Sequence, residues 1–260
     1  MKNIKGLIIA IVLFAIYGLV MYFVFSGTTQ STQTNNNNNK PVGNNTYYMV
    51  VGESSIYKYD RNGFSRANKN AIEALANLKV FVDNKYFGDY RLRYVAKWNL
   101  INDKSEFVSY NGKLFAISND FEVVVRNYTI REINDDDKYL LLQNYGISSF
   151  KYLTTNEVVD IDLDKNGVED EIIVLSSMED NDNINNYYSL VILKYNNDII
   201  TLIDERKEEA LYVYDINSII NILNNSNDSI ILDKIEGYYA ESSKVTNVII
   251  NYKNSNYVID

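Results

Sequence analysis

Between Val158 and Ser177 the chain reads VVDIDLDKNGVEDEIIVLSS. Six carboxylates fall within twelve residues there: Asp160, Asp162, Asp164, Glu169, Asp170 and Glu171. Like charges at that density repel one another and disfavour a compact loop unless a cation sits among them. Their spacing says which cation. Counting from Asp162, oxygen-bearing side chains occupy positions 1, 3, 5 and 9, namely Asp162, Asp164, Asn166 and Asp170. Val168 at position 7 can add its backbone carbonyl, and Gly167 at position 6 permits the tight turn that wraps a loop around an ion. Ca²⁺ takes six to eight hard oxygens at about 2.3–2.6 Å, with water completing the shell, whereas Mg²⁺ prefers to keep its own waters. The expected cofactor is therefore Ca²⁺, with Asp162, Asp164, Asn166, Val168 and Asp170 as ligands and Asp160 and Glu171 outside the coordination shell. The competing reading is a solvated acidic turn.

The loop departs from an EF-hand. Position 12 is Ile173 rather than Glu, and the flanks are strand-like: Val158, Val159 and Ile161 before, Ile172 to Leu175 after. A DxDxNGxxD loop between two strands resembles the calcium loop of the FG-GAP and VCBS repeats of integrin-type propellers and bacterial surface proteins. The resemblance covers about residues 156–205, including the hairpin that follows. It implies a structural calcium site on Asp162, Asp164, Asn166, Val168 and Asp170.

Other chemistry is narrowed by composition. The chain has no Cys and no His, which removes Cys nucleophiles, redox pairs, disulfides, His-dependent triads and His- or Cys-ligated zinc. From residue 47 onward 22 bases face 34 acids, so a nucleic-acid partner is not expected. Glycoside hydrolysis needs only two placed carboxylates, but the scattered acids single out no pair. Trp98, near Tyr90 and Tyr94, is either a sugar platform or core. Asp135-Asp136-Asp137 fits the N-terminus of a helix, where acids are favoured. No Gly-rich phosphate loop or nucleophile elbow is present.

The elements that must position the loop are mostly strands. Alternation suggests an opening strand over Tyr47–Tyr59 and strands over Lys79–Val82 and Tyr90–Val95. It also suggests a hairpin over Glu106–Ser118 about Asn111-Gly112, and a strand over Phe121–Ile130. Glu157–Ser177 reads as strand–loop–strand. Tyr187–Tyr195 and Ile199–Asp204 form a second hairpin, and Ile230–Ile235, Val245–Tyr252 and Tyr257–Ile259 are final strands. Three short helices are expected: Asn68–Leu78, Asn134–Gly146 capped by Asn134 or Asp135, and Asp215–Leu223 with Ile216, Ile219, Ile220 and Leu223 on one side. The fold class is α+β, β-dominant, with mostly antiparallel sheet. No internal repeat marks a propeller. Residues 47–150 and 151–260 could form two subdomains or one continuous domain.

Ahead of this lies a membrane-like segment. Residues 1–6 carry Lys2 and Lys5, and Leu7 to Phe25 is an unbroken apolar run. Nineteen residues reach about 28 Å as a helix, close to the hydrocarbon thickness of a bilayer. The early lysines keep the N-terminal flank cytoplasmic and send the remainder outward. A cleaved signal peptide is the alternative, and both export the rest. Residues 26–46 are Asn-, Thr- and Gln-rich and lack aromatics, a tether by composition. The expectation is a single-pass cell-membrane protein, held in the lipid bilayer through residues 7–25. Its extracytoplasmic calcium-binding domain would engage a protein or glycan partner. A tethered glycan hydrolase and an accessory subunit of an envelope complex are the other readings.

Overall fold

The structure is a computed structural model that describes residues 46–60, 62–150, 153–177, 188–196, 198–206, 212–222, 226–236 and 243–259. The apolar segment 7–25 and nearly all of the tether lie outside these residues. No helix among the described residues is long and apolar enough to cross a membrane.

β-branched and aromatic residues dominate the described chain and build three antiparallel sheets. The first comprises β1 (Tyr47–Val51), β2 (Ser55–Asp60), β3 (Gly63–Arg66), β4 (Leu78–Val82), β5 (Lys85–Val95), β6 (Lys97–Ile101), β7 (Phe107–Val108) and β8 (Leu114–Ser118), in the order β3-β2-β1-β8-β4-β5-β6-β7. β9 (Val123–Val125) and β10 (Ile130–Arg131) leave it for the other two sheets. The second sheet has the order β10-β11-β12-β13-β14, with β11 Thr155–Ile161, β12 Asp170–Ser177, β13 Tyr188–Tyr195 and β14 Asp198–Arg206. The third has the order β18-β17-β16-β15-β9, with β15 Tyr212–Ile222, β16 Ser229–Glu236, β17 Lys244–Lys253 and β18 Asn256–Ile259.

The cores give the stacking order. One face of the first sheet buries Val50, Leu78, Val80, Trp98 and Leu114 with Ile72 of α1 (Lys69–Glu73). Its other face, with Met49, Val51, Phe115 and Ile117, packs on Ile220, Ile222, Ile231 and Ile249 of the third sheet. The third sheet turns Ile216, Ile219, Ile230 and Leu232 toward Val159, Ile172, Val174 and Val191 of the second. The far face of the second sheet, with Val158, Ile173 and Ile192, is covered by Leu141 of α2 (Asp135–Tyr145) together with Ile133 and Ile147. Strands enclosed on both faces read as continuous apolar runs rather than alternations, as IIVL of β12 and LVIL of β13 do. Each fully buried Ile or Val contributes about 1.5–3 kcal/mol.

Several sequence expectations are corrected. Asp215–Leu223 is not a helix: residues 212–222 form β15. Its Ile residues recur at helical spacing because a register shift between Ile216 and Ser218 inserts one residue into a period of two. Glu106–Ser118 is not a hairpin: β7 pairs with β6, and β8 pairs with β1 and β4. Asn111-Gly112 instead allows a close approach. A side chain on Gly112 (φ +124°) would collide with the Asp83 carboxylate, which accepts the Lys113 amide at 2.8 Å. Phe121–Ile130 is two short strands rather than one. The helix expected over Asn68–Leu78 shortens to α1, so two helices stand among the described residues where three were expected. Tyr47–Tyr59 is itself a hairpin of β1 and β2.

α2 matches its expected caps. Asn134 accepts from the Asp137 amide, Asp137 accepts from the Asn134 amide, and Gly146 closes the helix at φ +68°.

Candidate metal centre

The acidic loop joins β11 to β12, whose seven registered pairs run from Thr155–Ser176 to Ile161–Asp170. The ladder fixes both ends of the loop, and Leu163, fully buried among the residues between the second and third sheets, pins its middle. The loop cannot swing away without exposing that side chain.

Held in this way, Asp162, Asp164 and Asp170 each present a carboxylate oxygen within 4.8 Å of the others. Two oxygens on opposite sides of a Ca²⁺ at about 2.4 Å stand about 4.8 Å apart, so the three can share one ion. The loop's own backbone aims these groups. Asp162 accepts from the amides of Asn166 at 3.0 Å and Gly167 at 2.8 Å. Asp164 accepts from the Asn166 amide at 3.1 Å and from the Tyr195 hydroxyl at 3.1 Å. Asp170 accepts from the Leu163 amide at 2.9 Å. Lys165 and Gly167 both adopt positive φ, at 61° and 88°, which lets the amides converge. Each carboxylate oxygen has further lone pairs for a ligand.

The electrostatics are uneven. Partial burial acts to raise the Asp162 carboxyl, but the Gly167 and Asn166 amides hold it below the usual aspartate range. Burial pushes Asp170 up, and the neighbouring charges of Asp164 and Asp162 push in the same direction. A cation among the three would relieve that repulsion. Arg126, beside the loop, is engaged elsewhere: it pairs with Asp228 and donates to the Asp162 backbone carbonyl at 3.3 Å.

Of the other expected ligands, Asn166 uses its side-chain oxygen to accept the Val168 amide at 2.7 Å, with its Nδ2 3.4 Å from Asn196 Oδ1. Val168 is 66% exposed, so its side chain is not part of the site. Asp160 and Glu171 stand apart, both bonded to Arg131, at 2.7 and 3.0 Å. Arg131 also pairs with Asp137 of α2, and Lys194 joins Asp137 and Glu171.

Sequence reasoning missed this network, because Arg131 and Lys194 lie far in the chain from the acids they join: Arg131 from Asp160 and Glu171, and Lys194 from Asp137. It also missed Tyr195 and Asn227. Asn227 donates to the Tyr195 hydroxyl at 3.1 Å, and the Asp228 amide donates to the Leu163 carbonyl at 2.8 Å, so the turn before β16 clasps the loop. Trp98 is fully buried against Tyr94 and is core rather than a sugar platform. Against known protein families, curated proteins and solved structures, the chain matches none.

Proposed function

We propose that the chain is a single-pass, membrane-anchored protein whose extracytoplasmic β-domain binds Ca²⁺ structurally in the loop between β11 and β12 and serves as a surface adhesion or interaction module. The observation that carries the metal reading is the convergence of Asp162, Asp164 and Asp170 carboxylates within 4.8 Å on a loop pinned at both ends. The DxDxNGxxD resemblance to FG-GAP and VCBS loops supports calcium over other cations, with Asn166 and the Val168 carbonyl completing the protein ligands. The apolar run 7–25 and the early lysines support the anchor and its direction.

An extracellular site needs only a Kd on the order of 10⁻⁴–10⁻³ M. Binding to the folded state alone then stabilises by about 1.4 kcal/mol at tenfold excess, which raises Tm by roughly 3–5 °C for a domain of this size. The test melts the full chain, solubilised in non-ionic detergent and stripped with EGTA, with and without CaCl₂. Asp162→Ala and Asp164→Ala remove the calcium-dependent rise, while Asp103→Ala, in an exposed turn outside the loop, keeps it. Identical melts of the wild type in both buffers, with no calorimetric heat at millimolar Ca²⁺, would reduce the loop to a solvated turn.

A further inference from the structure

The outward face of β5, β6 and β7 carries a charge opposite to that of the rest of the domain. In β5 Tyr90, Leu92 and Tyr94 turn into the core, which leaves Asp89, Arg91, Arg93 and Val95 on the outer face, with Asp89 at its margin beside Lys79 of β4 and accepting from the Tyr86 hydroxyl at 3.0 Å. Antiparallel pairing sets Arg91 beside Ile101 and Ile101 beside Phe107, Arg93 beside Asn99, and Val95 beside Lys97. Directly paired residues share a face, so these side chains form one surface. Arg91, Arg93 and Lys97 are exposed, as are Val95 at 55% and Phe107 at 63%. Residues 85–108 hold five bases and three acids, whereas the remainder from residue 47 onward holds 17 bases and 31 acids. The bases are lightly engaged. Arg91 donates to Ser105 at 3.1 Å, and Lys97 lies 3.3 Å from Glu53 in a pair open to solvent. Such exposed pairs exchange readily for another anion.

A basic face with protruding apolar side chains on an acidic molecule selects a partner that is anionic and has an apolar interior. The sequence supplies one at short range. Twenty-one residues, rich in Asn, Thr and Gln, separate the apolar run ending at Phe25 from Tyr47. At coil dimensions a chain of that length would span about 25 Å, only a few Debye lengths of about 8 Å. Tethering at that distance keeps even a weak surface contact populated.

We propose that this face docks the domain onto the anionic phospholipid bilayer in which residues 7–25 are embedded, with Arg91 and Arg93 on headgroup phosphates and Phe107 and Val95 in the interface. Each guanidinium can fork onto a phosphate, and the apolar side chains leave water at the headgroup boundary. The inference rests on the anchor in the reading above and not on the calcium site.

The chain has no Cys, so Phe107→Cys offers one thiol for an environment-sensitive dye. The labelled full chain is reconstituted, in EGTA, into nanodiscs of phosphatidylcholine alone or of phosphatidylcholine and phosphatidylglycerol at three to one. Dye emission is expected to be at least about twofold higher in the anionic discs. Arg91→Glu with Arg93→Glu, or 0.5 M NaCl, removes the difference. Arg91→Lys with Arg93→Lys keeps most of it, and a dye at Tyr139→Cys, on α2, does not respond. The charge-reversed residues are exposed, so an unchanged melt of that variant shows that it folds.

Co-elution with phosphatidylcholine discs tests the anchor separately. A chain that co-elutes with both discs but emits equally in them overturns docking, as does an equal response at residue 139. A rise with soluble polyglutamate and none in anionic discs identifies a polymer site and also overturns it. A chain that co-elutes with neither disc removes the anchor, and docking with it.

Discussion

Arg131 shows how a single residue can organise the surroundings of an acidic loop without being near it in sequence. It holds Asp160 at 2.7 Å and Glu171 at 3.0 Å and pairs with the buried Asp137, and so ties β11 and β12 to the start of α2. Burial acts to raise the Asp137 carboxyl, but Arg131, the Asn134 amide and Lys194 together hold it below its ordinary range. A depressed carboxylate adds stability above its unfolded pKa of about 3.9, and that stability is lost as pH falls through the folded value. Arg131→Ala is therefore expected to destabilise the domain by about 2–3 kcal/mol at pH 7, less than a fully buried pair because Arg131 is partly solvated. The deficit relative to wild type begins to shrink as pH falls below the unfolded value of about 3.9, and it is lost only as the folded Asp137 carboxyl, held lower, takes up its proton. Urea denaturation of both proteins at pH 7 and pH 3 measures this. An equal deficit at the two values would mean that Arg131 acts through packing and not charge.

At the scale of elements, what the sequence made legible was whatever is encoded locally. The caps of α2 are three residues apart, the three Asp carboxylates that converge in the loop lie within nine residues, and β13 and β14 are nearly adjacent in the chain, so all could be read in order. What failed depends on distant partners. In β15, Ile216 and Ile219 face the second sheet while Ile220 and Ile222 face the first, because a bulge reverses the alternation. Its residues are spaced as on a helix because the bulge combines with enclosure on both faces. Asn217 lies within the bulge, nearly inaccessible, and its amide donates to both oxygens of Asp233 at 2.9 and 3.1 Å. Asn217→Ala removes those donors from a carboxylate whose pKa burial already pushes up. The expected cost is about 2 kcal/mol at neutral pH. A raised carboxylate weakens the fold as pH rises through its folded value, so the variant recovers relative to wild type under mildly acid conditions where Asp233 is protonated. A cost that does not change between pH 7 and pH 4.5 would place the loss in backbone geometry and not in Asp233.

For the whole molecule, the three sheets share their cores. β9 and β10, from the first half of the chain, complete sheets built by the second half. The third sheet is apolar on both faces and buried between the other two. A stack of this kind offers a protease few openings among the described residues, whereas residues 26–46 have the composition of an exposed tether. The anchor proposal then has a specific outcome on intact cells. Fractionation places the chain with the membrane, and external protease cuts first between residues 26 and 46. It releases a fragment that still melts cooperatively, while an epitope placed before Lys2 stays protected. The motivation is the pairing of Lys2 and Lys5 with an apolar run of about 28 Å and the absence of any acid before Glu53. Release of the domain without protease, trimmed near Ser26, would instead identify a cleaved signal. Protection of the domain until the membrane is permeabilised would reverse the orientation and, with it, the access to extracellular calcium on which the metal reading depends.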